Sequence, residues 1–189
     1  AVVVEEVDKR GFETAEIASV SGSHFSAVQM EMAKFISEYY FSSLSEAISL
    51  FIPYEKSEVN SEKRIVNSGN VPTLTTSQQQ AYEQLLQKNK ALLFGVTGSG
   101  KTEIFISLMA KMLQEGRTSI FLMPEISLTP QMEKRLKVYF GEGVAMWHSK
   151  LTKKKKESIL KDIEAGKVRI VAGARSALFV PLRDLGLMA

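Results

Sequence analysis

The sequence predicts an α/β protein with a mostly parallel sheet, preceded by a smaller, partly helical unit. Three observations carry this. After Pro72, short apolar runs alternate with segments whose apolar residues recur at helical spacing, the pattern of successive βαβ units. A glycine-rich turn stands between the first apolar run and the helix that follows it. Before Glu55 the recurrence is helical without alternation.

Taken in order, Val2 to Val7 and Ile17 to Val20 flank Lys9-Arg10-Gly11, which predicts a hairpin, the end of a small β unit. Val28, Met32, Phe35, Ile36, Tyr39 and Tyr40 then recur at helical spacing, continued by Leu44, Ala47, Ile48 and Phe51 up to Pro53. Two helices or one bent helix is expected. Residues 55–72 turn polar and read as a linker between a unit at 1–54 and a unit at 73–189. In the second unit Thr76 is placed to cap a helix, with Gln79 in capping-box position, running to about Lys88. Ala91 to Phe94 reads as a short strand, and Thr102 to Glu115 as a helix stopped by Gly116. Ser119 to Met123 is the next strand, followed by a helix opened by Thr129-Pro130 and ended by Gly141. Val144 to Trp147 is a strand, Thr152 to Ala165 a helix and Val168 to Ala172 a strand. Strands joined this way run parallel, with helices on both faces.

The 189 residues suffice for one domain and part of another. A hydrophobic content of 44% with 24% charged residues is ordinary for a globular chain, and no apolar run reaches the length of a membrane span. The chain is therefore expected to be soluble and cytoplasmic, with no membrane partner. Without cysteine, these residues hold no disulfide and no thiolate-bound zinc. A net charge of +3 is too small to identify a polyanionic partner. The start at Ala1 and the apolar close, Leu185-Gly186-Leu187-Met188-Ala189, suggest a piece of a longer protein.

The most specific signal is Gly95-Val96-Thr97-Gly98-Ser99-Gly100-Lys101-Thr102, which fits G-x-x-x-x-G-K-[ST] at every position. Ordinary residue frequencies give such a match at about 4 in 100,000 positions, so a chance origin is remote. The glycines let successive backbone N–H groups point inward at phosphate oxygens, and the helix that follows adds its positive end. Lys101 is expected on the β and γ phosphates, and the Thr102 hydroxyl on Mg²⁺. The loop alone does not choose between a motor, a transporter ATPase, a nucleotide kinase and a GTPase, nor exclude a vestigial loop in a binding module.

Three further clusters follow strands, and so are expected at the carboxyl edge of the sheet, where ligands bind. They are Pro124 to Gln131, Trp147 to Lys150, and Gly173 to Pro181, which offers Arg175 and Ser176. Trp147 and His148 read as structural. Lys153 to Lys156 occupy the first turn of a helix, where acidic residues are preferred. They are either a solvated face or a phosphate contact.

With GVTGSGKTE, PEISLTPQ, HSKL and GARSALFVP in this order and at this spacing, the sequence resembles the primosomal replication-restart (PriA) helicases of superfamily 2. The resemblance covers Leu74 to Leu187 well and Val28 to Pro53 fairly. It implies a RecA-like P-loop NTPase lobe, preceded by the end of an N-terminal DNA-binding domain. It also implies an ATP-dependent 3′–5′ DNA helicase of replication restart and primosome assembly, using ATP and Mg²⁺. Gln78 becomes the adenine contact, Gly95 to Glu103 the nucleotide loop, with Val96, Thr97, Gly98, Ser99 and Gly100 within it. Thr129, Gln131, Arg175 and Ser176 fall on a single-strand DNA track. Single-stranded and forked DNA, primosome proteins and single-strand-binding proteins are the implied partners. Three departures accompany it. The family's acidic Mg²⁺-holding segment would follow Met188, its second lobe and zinc-binding insertion are not in this chain, and 55–71 is short for a winged-helix domain. The chain alone is therefore expected to be inactive.

Overall fold

The structure, a computed structural model, describes residues 22–54 and 71–189. The expected hairpin, and all of the expected linker except Val71 and Pro72, lie outside them.

In the first unit, helix α1 (Ala27–Tyr39) opens on a capping box: Ser26 Oγ accepts from the Gln29 amide at 3.2 Å, and Gln29 Oε1 accepts from the Ser26 amide at 2.9 Å. The same Gln29 donates its Nε2 to the Ile52 carbonyl at 2.9 Å, tying the start of α1 to the chain beyond α2. Helix α2 (Leu44–Ser49) repeats the device with Ser43 and Glu46. The backbone and then the side-chain hydrogen bonds from Ser43 hold the Glu46 carboxyl below its ordinary pKa. Between them the chain reverses through Phe41 at φ 53°, so there are two helices and not one bent helix. Ala33, Ala47, Ile48 and Phe51 form their shared core.

Helix α3 (Thr76–Leu86) begins one residue earlier than the sequence suggested and ends two earlier. Its cap is Thr75 and the third-position glutamine is Gln78, not Thr76 and Gln79. Two overlapping T-x-x-Q pairs are present, and the one used lets Gln78 Nε2 also reach the Ser99 carbonyl, at 3.1 Å. The strand expected at 91–94 does not form. A strand needs a hydrogen-bonding neighbour, and none of the described residues lies alongside; Leu92 and Phe94 stand 91% and 92% exposed.

The sheet has four strands: β1 (Thr118–Leu122), β2 (Val144–Trp147), β3 (Ile170–Gly173) and β4 (Leu185–Met188), in the order β2-β3-β1-β4. Every pairing is parallel. Strand β4, formed by the apolar run near the end of the chain, was not anticipated; it closes on β1 with a register irregularity at Thr118. Helices α4 (Lys101–Gln114), α5 (Pro130–Phe140) and α6 (Lys153–Glu164) make the crossovers and flanks. Alternate strand residues feed two cores. Phe121, Val144, Ile170 and Ala172 pack against α4 and α5 through Ile106, Met109, Leu136 and Phe140. Ile120, Ala145, Trp147 and Val171 face the other way, onto Ile159 of α6 and onto Ala177, Val180 and Leu182. Helices thus cover both faces, as a parallel sheet requires. No helix among the described residues is long and apolar enough to cross a membrane.

Candidate functional site

The glycine-rich loop sits directly before α4. Gly98 and Gly100 both adopt φ 82°, a left-handed conformation that costs glycine little and other residues substantially. Space makes the same demand, because a Cβ on Gly100 would stand 1.9 Å from Gln78 Nε2 and one on Gly95 2.8 Å from Ser99 Oγ. Within the loop Ser99 donates its amide to Val96 at 3.2 Å, whereas the amides of Gly98, Gly100, Lys101 and Thr102 donate to no carbonyl among the described residues. Val96, Thr97, Gly98 and Ser99 are exposed. The loop is therefore a turn of free donors at the positive end of a fourteen-residue helix.

Lys101 does not enter the core. Its Nζ folds back over the loop and donates to the Gly95 and Val96 carbonyls, at 2.7 and 2.8 Å. The ammonium is held at the mouth of the turn by weak neutral acceptors, which an anion outcompetes through charge-assisted hydrogen bonds. Free amides, a helix terminus and a positioned cation fit a polyphosphate. For a divalent cation Thr102 is the hydroxyl at hand, half-buried at the second position of α4. The described residues hold no cluster of three or more His, Asp or Glu side chains able to ligate a metal. Gln78 braces the loop from the side, bonded to Ser99 and fixed by its own capping box.

Two loops follow the adjacent strands β1 and β3, and the ladder continues one residue past β1, with Met123 donating to Gly173 at 2.9 Å. After β1, Thr129 caps α5 by accepting from the Met132 amide at 3.2 Å, while Gln131 is exposed in the first turn. After β3, a 3₁₀ turn (Arg175–Phe179) exposes Arg175 and buries the Ser176 hydroxyl, which has no hydrogen-bond partner among the described residues. An orphaned buried hydroxyl costs free energy unless a ligand or water satisfies it. After β2, Ser149 donates to Glu125 at 3.0 Å, linking two of the three edge loops. Trp147 is 4% exposed and belongs to the core, as its position suggested. Of the four lysines that follow, Lys153, Lys154 and Lys155 are exposed, whereas Lys156 lies 5.8 Å from the Trp147 ring centroid.

Two connections had no signal in the sequence. Glu103, beside the loop, is ion-paired with Arg135 of α5. The chain just after α2 docks on the loop after β3: Phe51 and Phe179 meet edge to face at 5.0 Å, and Ile52 donates to the Phe179 carbonyl at 3.3 Å. Tyr54 lies 5.8 Å from the Arg183 guanidinium, and burial raises its phenol above the usual pKa. Both connections join residues far apart in the chain, to which periodicity is blind.

Comparisons with known proteins find a matching family and relatives over much of the chain. A family model described as DEAD/DEAH box helicase matches residues 75–186. The replication restart protein PriA of Helicobacter pylori is 41% identical over 187 residues, 99% of this chain and 30% of that protein. PriA of Rickettsia felis is 40% identical over 84% of this chain and 25% of its own length. PriA of Bacillus subtilis is 46% identical over 61% of this chain and 15% of its own. The chain thus spans less than a third of the length of these relatives.

Proposed function

The chain belongs to the DEAD/DEAH box helicase family, and we propose that it forms the nucleotide-binding face of an ATP-driven DNA helicase of replication restart. The observation that carries this is the loop before α4: two glycines at φ 82°, four free amides and an ammonium at their mouth. In the proposed mechanism Lys101 leaves the Gly95 and Val96 carbonyls for the β and γ phosphates, and the loop amides take the remaining oxygens. Thr102 would hold Mg²⁺ through its hydroxyl, and the cation would supply positive charge against the phosphates. Gln78, which braces the loop through the Ser99 carbonyl, is the proposed adenine contact.

Thr129, Gln131, Arg175 and Ser176, on the two loops that follow β1 and β3, form the proposed single-strand DNA track. The whole protein is proposed to translocate 3′ to 5′ in the cytoplasm, on single-stranded and forked DNA, with primosome and single-strand-binding proteins. Its zinc would be bound outside these residues. This chain alone is proposed to bind ATP weakly at best and not to hydrolyse it.

The test is titration of the 189-residue chain with a fluorescent ATP analogue and Mg²⁺. Lys101→Ala removes charge-assisted hydrogen bonds worth about 1.5–3 kcal/mol, so affinity should fall at least about tenfold. Equal affinity of variant and parent would sink the reading of the loop. Turnover by this chain alone would contradict its proposed inactivity.

A further inference from the structure

We propose that Arg135 is a positioning residue that couples nucleotide occupancy of the loop to DNA occupancy of the sheet edge; this rests on the functional reading above. Glu103 is the third residue of α4, next to Thr102, and its Oε2 lies 3.3 Å from the place a Cβ on Gly100 would occupy. A carboxylate there favours the helix terminus yet repels an incoming triphosphate. The Arg135 guanidinium closes on it, donating through Nη2, and so offsets that charge.

Arg135 belongs to α5, the helix whose first turn presents Thr129 and Gln131. Gln131 and Arg135 are four residues apart and therefore neighbours on one helical face. Behind them Leu136 is fully buried in the core between α4, α5 and the sheet, so α5 moves as a body. A strand gripped by Gln131 and a phosphate chain gripped beside Glu103 thus pull on the two ends of one short rigid path: Gln131, α5, Arg135, Glu103, loop. The pair is partly screened, with side-chain exposures of 39% and 28%. Its effect belongs in the range of exposed ion pairs, not of buried ones.

The experiment uses the full-length protein containing this chain. Affinity for a fluorescent, non-hydrolysable ATP analogue with Mg²⁺ is measured with and without saturating oligo-dT, and the ratio is the coupling. Arg135→Ala should reduce that ratio about three- to fivefold, and affinity without DNA should fall as well because Glu103 is left without its counter-charge. Arg135→Lys, which keeps charge but loses the fork, should retain part of it. Glu103→Gln combined with Arg135→Ala should do no more than Arg135→Ala alone, the non-additivity expected of partners. A merely structural pair would lower the thermal midpoint and leave the ratio untouched. An undiminished ratio in Arg135→Ala, or independent multiplying effects of the two substitutions, would overturn the proposal while sparing the motor reading. A parent protein that binds both ligands without any coupling would overturn both.

Discussion

Between residues 71 and 100 no side chain is buried, whereas residues 101–189 supply both cores of the sheet. The first stretch carries the densest chemical signal in the sequence and the least packing. Helix α3 has no fully buried residue; it touches α4 and is held by a capping box and by Gln78 on the loop. The second stretch carries weaker motifs on strands whose alternate residues are locked in place from both sides. Binding loops are drawn from the less stable end of a structure because they must yield to a ligand. Here the sheet and α4 act as the frame, and the loop with α3 is mounted on its margin.

The contrast breaks most directly at the core. Leu136 is fully buried between α5 and the sheet, and Leu136→Ala should cost about 2–5 kcal/mol of unfolding free energy. Leu86, 42% exposed at the end of α3, should cost less than about 0.5 kcal/mol on the same change. Urea denaturation of the two variants decides it, and equal losses would mean that α3 belongs to the cooperative core. Gly100→Ala inverts the ranking for function. A side chain at φ 82° costs about 1–2 kcal/mol, and the new Cβ displaces Gln78 from the Ser99 carbonyl. Affinity for the ATP analogue should fall about tenfold with the denaturation midpoint little changed. A shifted midpoint with intact affinity would place the loop inside the folding unit.

The same division explains what the sequence disclosed. The loop was legible because its chemistry is local: glycine φ, free amides and Lys101 all lie within eight residues. Strands β1, β2 and β3 were legible because burial on both faces writes continuous apolar runs such as Val144 to Trp147. Residues 91–94 show the limit of that reading, since Ala-Leu-Leu-Phe has the composition of a strand and yet pairs with nothing among the described residues. Conversely, Leu185–Met188 looked like a mere apolar tail and became β4, because a free edge of β1 was available to it. Composition records a propensity, and pairing is settled elsewhere in the chain. The Glu103–Arg135 pair and the Phe51–Phe179 contact escaped for the same reason.

The smallest expected effect compares one chemical device in the two regions. Thr75 and Thr129 both cap helices, accepting from the amides of Gln78 at 3.4 Å and Met132 at 3.2 Å. Replacing either by alanine removes a bond worth about 1 kcal/mol to its helix. Because α5 is pinned through Leu136 and Phe140, Thr129→Ala should lower global stability by about that amount. Helix α3 has no fully buried residue, so Thr75→Ala should instead raise local opening, seen as about fivefold faster amide exchange in α3 at an unchanged unfolding midpoint. Equal midpoint losses for the two caps would show that the nucleotide side of the molecule folds as one unit with the sheet.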